Sequence, residues 1–240
     1  MKGLLYRDFY LGKKTYILYG IIAAGIGFFG LLVALSSVCG NLVNYADNNP
    51  GGFETTIKVF MYVPIFMVVM AVQGVWQCIC SDYKSGWMLY GYNLPVKRSV
   101  TVGAHYISGF LVVAAGMIIG LAHMLIISGL ANVELGKKDF LIMLFLGFVG
   151  LVEITLFIPM SLLLKTEKAV STASVLGGVV VWLIAIVQLA MVVESELEAK
   201  VARDFKLVKG IISDYWMIIV PVMLCVSFLC SVKILKAKRL

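Results

Sequence analysis

The chain has 240 residues, 61% of them hydrophobic and only 14% charged, whereas a soluble domain carries roughly 25% charged residues. Its net charge of +7 sits in short segments between long apolar runs. The composition excludes a soluble globular domain, and the scatter of the basic residues excludes a nucleic-acid binder.

Six stretches are long enough to cross a hydrocarbon core of about 30 Å, which takes roughly 20 residues. They are 17–39, 57–80, 104–130, 140–164, 169–193 and 214–232. The sequence predicts an all-α membrane protein, one transmembrane domain over 1–240 with six transmembrane helices. Six crossings place both termini on one side. Thirteen of the twenty Lys and Arg fall on that side, and seven on the other. Retention of positive charge in the cytoplasm makes both termini cytoplasmic. Asp8, Asp82 and Glu167 lie inside, Glu153 lies within a span, and the other nine acidic residues lie outside. The basic side faces anionic lipid headgroups.

Residues 2–16, KGLLYRDFYLGKKTY, place Leu5 and Phe9 on one helical face. They predict an interfacial lead-in helix over 1–16, or an ordinary basic flank. The apolar run behind it is too long for a signal peptide and lacks a cleavage site, so it reads as a retained span. That span carries small residues at Ala23, Gly27, Gly30 and Ala34, and the third span carries Gly116 and Gly120. Small residues let helix backbones approach closely, and these mark packing faces or a dimer seam. The segment 40–56, GNLVNYADNNPGGFETT, reads as an outer turn region. Pro64, Pro159 and Pro221 fall inside spans, where proline removes a backbone hydrogen bond. Before the last span, Leu197, Val201, Phe205 and Val208 recur at helical spacing among charges, predicting an outer amphipathic helix over 195–209. The five cysteines show no metal spacing, and Cys78 and Cys80 point about 200° apart on a helix.

Glu153 is the one acidic residue deep in a span, and an intramembrane carboxyl is either functional or hydrogen-bonded within the bundle. Gln73 and Gln77 join it as candidates for a translocation path. His123 and Gln188 read as interhelical hydrogen-bonding groups. No phosphate-binding loop, zinc-protease helix or nucleophile elbow is present, so no catalytic residue is predicted.

Between the second and third spans lies SDYKSGWMLYGYNLPVKRSV, residues 81–100, charged and aromatic in a lipid-like chain. From its residues alone it is an interfacial anchor or a handle for a partner. MKGLLYRDFYLGKK, then DYKSGWMLYGYNLPVKRSVTVGAHYI, then Pro159 with KTEKA resemble the ABC-2-type transporter permeases, most nearly those of phenol-soluble modulin and related peptide exporters. His105 and YGYN depart from the family's pattern. The resemblance implies a permease that dimerises with a second permease, identical or different, in the bacterial plasma membrane. It further implies a separate ABC ATPase partner that binds ATP and Mg, leaving this chain without cofactors of its own. The segment 81–99 becomes the coupling segment, with Asp82, Tyr83, Lys84, Gly86, Trp87, Tyr90, Leu94, Pro95 and Arg98 at the ATPase contact. Lys165 and Glu167 form a smaller second contact. The implied function is ATP-driven export of amphipathic peptides. The alternatives are a proton-coupled secondary transporter using Glu153, and a non-transporting membrane immunity protein.

Overall fold

The computed structural model describes residues 2–40, 42, 47–87, 97–164, 168–172, 176, 177, 179, 183 and 206–237. Among these, all regular structure is helical, with six helices of twelve residues or more. They are α1 (Lys2–Cys39), α2 (Pro50–Met70), α3 (Gln73–Lys84), α4 (Arg98–Ala131), α5 (Lys137–Leu163) and α6 (Lys206–Ala237). Among the described residues, four helical lengths are long and apolar enough to cross a membrane: α1, Pro50–Lys84, α4 and α5. The expected sixth span, 214–232, falls within α6. The expected fifth span, 169–193, lies mostly outside the described residues, as does the outer amphipathic segment 195–209 up to Lys206.

Three boundaries differ from the sequence reading. Residues 2–16 do not form a separate lead-in helix but continue into the first span as one 38-residue helix. At 1.5 Å per residue that helix is about 57 Å long, well beyond the apolar core. Gly12 is the weakest helix former near the expected junction, and one glycine costs only about 1 kcal/mol. The second difference is at 50–56, expected as a turn and found in the first turns of α2. Asn49 Oδ1 accepts a hydrogen bond from the Gly52 amide at 3.1 Å, and Pro50 follows as the first helical residue. An N-cap side chain and a proline already set to helical φ start a helix there. The third is that the second span breaks at Ala71–Val72 and stays helical through Pro64.

Close contacts divide the chain into two units. One holds the described residues of Met1–Gly12, Gln73–Phe110 and Leu151–Leu240; the other holds Lys13–Val72 and Leu111–Gly150. In the second unit the predicted small-residue stripe is the buried side of α1. Ala23, Gly27, Gly30 and Ala34 are all buried there. A Cβ on Gly27 would stand 2.9 Å from His123, and one on Gly30 would stand 2.8 Å from Phe60. Gly120 meets Ile65 of α2 in the same way, at 2.6 Å. These close approaches are packing within the chain itself.

Pro64 has no N–H, so the Phe60 carbonyl one turn earlier loses its helical donor. His123 Nε2 on α4 stands 3.3 Å from that oxygen. A carbonyl only accepts, so the ring nitrogen donates and the Nε2–H tautomer is fixed. In the first unit, Pro159 frees the Thr155 carbonyl, which accepts a hydrogen bond from Ser227 Oγ on α6. Tyr106 on α4 reaches the same serine at 2.6 Å and Ser231 at 3.0 Å. Kinked backbone is tolerated in lipid where neighbouring side chains supply the missing partners.

On the other unit's loop side, Asp139 opens α5. Its Oδ2 accepts from the Gly136 amide at 2.7 Å, and Tyr62 donates to its Oδ1. Lys58 stands 3.8 Å from the same carboxylate. At the end of α4, Asn132 adopts φ 52°, and the Val133 amide donates back to Ser128 O at 3.1 Å. That left-handed residue and six-residue closure form a helix stop.

His123→Leu is expected to lower stability by about 1 kcal/mol by leaving the Phe60 carbonyl unsatisfied. In a Pro64→Ala background the helix supplies its own donor, and the loss should shrink toward zero. Thermal unfolding of the four purified proteins in detergent measures the coupling. Gly120→Val should cost about 1–3 kcal/mol through overpacking against Ile65, read in the same way.

Candidate functional site

The island's described part begins where α3 runs out. Ser85 N donates to Ser81 O at 2.9 Å and Gly86 N to Tyr83 O at 3.3 Å. Gly86 then takes φ +69°, a conformation open to glycine without the Cβ penalty. Trp87 leaves that turn half in solvent, 37% exposed, beside exposed Lys84 and Ser85.

The residues just before the turn face inward. Asp82 is 3% exposed and pairs with Arg7 on α1, its Oδ2 being 3.2 Å from Nη2. The same nitrogen is 3.1 Å from Asp8 Oδ1. Asp8 is fully buried, and its other oxygen stands 2.8 Å from His105 Nδ1 on α4. That contact lies off the hydrogen-bond line, so it is a Coulomb attraction that acts when the ring carries its proton. Cys78 Sγ donates to the Asp8 carbonyl at 2.8 Å, tying α3 to the backbone of α1. The Arg7 guanidinium also lies over the Trp87 ring, 5.5 Å from its centroid. Two buried carboxylates, one arginine and one histidine thus meet beneath the exposed turn. Removing one partner of such a group strands a buried charge at a cost of several kcal/mol.

Tyr83 and Arg98 cap helix ends. The Tyr83 hydroxyl donates to Leu164 O at 2.6 Å and lies 3.3 Å from Ser161 O, carbonyls at the end of α5, where the last turn needs donors from outside the helix. Arg98 Nη1 donates to Leu235 O at 3.1 Å and Lys236 O at 2.9 Å, closing the end of α6. The structure therefore brings Asp82, Tyr83 and Arg98 against their own chain and leaves Lys84, Gly86 and Trp87 as the outward part. Tyr90, Leu94, Pro95, Lys165 and Glu167 lie outside the described residues.

Glu153 is 1% exposed, and neither of its oxygens has an aligned hydrogen-bond partner among the described residues. Gln73 is the polar side chain that approaches it. One turn along, Trp76 of α3 and Phe157 of α5 meet edge to face at 4.7 Å. Gln77 is exposed, so the three polar residues do not form one cluster. Among the described residues no group of three His, Cys, Asp or Glu is placed to hold a metal.

Sequence reasoning missed Arg7 and Asp8, which it took for part of an interfacial lead-in helix or a basic flank. The small-residue stripe carried the signal: followed back toward the N-terminus, its buried face reaches Gly12 and then Asp8. Asp139 and Tyr62 were also missed, since 77 residues separate them.

A family model described as ABC-2 family transporter protein matches residues 3–236. No curated protein and no solved structure matches the chain.

Tyr83→Phe is expected to cost about 1 kcal/mol by removing the donor to the end of α5, measured as a lowered unfolding midpoint. Glu153→Gln keeps the shape and removes the buried acid. It should leave the unfolding free energy unchanged or raise it by about 1 kcal/mol, since a neutral amide avoids the desolvation of a carboxylate.

Proposed function

Since the chain belongs to the ABC-2 transporter family, whose members are transport components that work with an ABC ATPase rather than catalysts themselves, we propose that it is the transmembrane subunit of an ATP-driven exporter. ATP and Mg are bound by the separate ATPase. Six helices cross the bacterial plasma membrane with both termini in the cytoplasm, and a second permease copy or paralogue completes the transporter.

The observation that carries this reading is the turn at 84–87. Lys84 and Trp87 are exposed, while Asp82 and Tyr83 directly before them are fastened to α1 and α5. A rooted, outward aromatic beside a cation suits a contact that must transmit force. Large aromatics are also the usual anchors of protein interfaces. The coupling segment 81–99 then contacts the ATPase through Lys84, Gly86 and Trp87, followed by Tyr90, Leu94 and Pro95, with Lys165 and Glu167 as a second contact. Asp82, Tyr83 and Arg98 act by holding that segment in place.

The substrate is an amphipathic peptide, the cargo implied by the resemblance of the opening segment and of 82–107 to peptide-exporter permeases. It enters from the bilayer and passes along the polar side of α3 at Gln73 and Gln77. Glu153 lies within the bundle beside Gln73.

The test is co-expression with the ATPase encoded beside this chain and purification through a tag on this chain alone. The ATPase is expected to co-purify. Trp87→Ala should weaken the complex by about thirtyfold, the effect of losing an anchor worth about 2 kcal/mol. Failure of the unaltered chain to recover any ATPase would sink the reading.

A further inference from the structure

Arg7 belongs to the first turns of α1, 75 positions before Asp82 in the chain, yet its guanidinium is placed between Asp82 and Trp87. One nitrogen serves both Asp8 and Asp82, at 3.1 and 3.2 Å. Nε also donates to Asp8 Oδ1 at 3.4 Å, so two nitrogens together hold the guanidinium and limit its freedom to turn. Its central carbon stands over the Trp87 ring, 5.5 Å from the centroid. Asp8 is fixed in turn through its carbonyl by the Cys78 thiol at 2.8 Å, and its second oxygen faces His105 Nδ1 at 2.8 Å. The direction in which Trp87 leaves the Gly86 turn is thereby set from α1 and α4, not from α3 alone.

We propose that Arg7 is a positioning residue for the ATPase contact: held by Asp8 and Asp82, it fixes the orientation of Trp87 and joins the first helix to the segment on which the ATPase pushes. This rests on the reading of 84–87 as that contact. The guanidinium is the right group for the task. A lysine would satisfy the two carboxylates as a point charge but has no flat face to lay on an indole. Burying the ion pairs brings no clear gain in stability over apolar packing, so orientation is what the arrangement contributes.

Arg7→Lys separates the two roles, since it keeps the charge and removes the flat face. The measurement uses the full chain with Trp76, Trp182 and Trp216 changed to Phe, so that emission comes from Trp87. Arg7→Lys is expected to shift that emission to the red and to make it easier to quench with acrylamide. Affinity for the co-expressed ATPase should fall about two- to fivefold, the worth of one partly exposed cation–π contact. Should Arg7→Lys fail to insert, Asp82→Glu keeps every charge but pushes the guanidinium off the ring by one methylene, and the same shifts are expected. Unchanged Trp87 emission in the inserted variants overturns the proposal, whatever happens to their unfolding midpoints. So does altered emission with full ATPase affinity. If the unaltered chain recovers no ATPase, the exporter reading itself fails, whereas the emission shift still reports whether Arg7 orients Trp87.

Discussion

A carbonyl freed inside a membrane-crossing helix has no water to turn to, and each one left open costs about 1–3 kcal/mol. That constraint organises this chain. Prolines in α2 and α5 each release one carbonyl, and a side chain from another helix answers each: His123 for Phe60 and Ser227 for Thr155. The prolines therefore dictate which helices must be neighbours. A packing made of leucine and valine alone would be indifferent to rotation about the helix axis. A donor that must find one oxygen is not.

The same requirement extends to helix ends and shapes the candidate site. The last carbonyls of α5 and α6 are met by Tyr83 and Arg98, both from the stretch that sequence resemblance assigned to a partner. Polar residues near a membrane surface thus serve two masters, and burial tells them apart. Asp82 at 3% exposure and Trp87 at 37% are five positions apart, yet one closes the chain on itself and the other faces out. Gly86 makes the change of direction possible by taking a backbone conformation that its neighbours would resist.

Periodicity made the small-residue face of α1 legible, because a 4-3-4 spacing of Ala and Gly has one meaning on a helix: close approach. The prolines announced which carbonyls would be free. Neither could say which helix would respond, since His123 and Phe60 are 63 residues apart and Ser227 and Thr155 are 72 apart. Arg7 and Asp8 hid for a different reason. Adjacent opposite charges in front of an apolar run look like a solvated flank, and only the continuation of the buried stripe to Asp8 shows that one of them turns inward. The start of α2 was hidden by composition. Asn, Pro and Gly together suggest a turn, while the order Asn49-Pro50 is that of a helix cap followed by its first residue.

The inward use of those alanines and glycines also fixes what α1 offers to its surroundings. Its opposite side presents Ile17, Ile21, Phe28 and Leu35, each 47% exposed or more. A neighbour on that side, whether acyl chain or protein, meets branched and aromatic bulk on either side of Gly25, which is exposed and would have nothing within 4 Å of an added Cβ. A helix laid along that face would be held off by the bulk above and below this one glycine, toward the wide end of the 8–10 Å range typical of packed pairs.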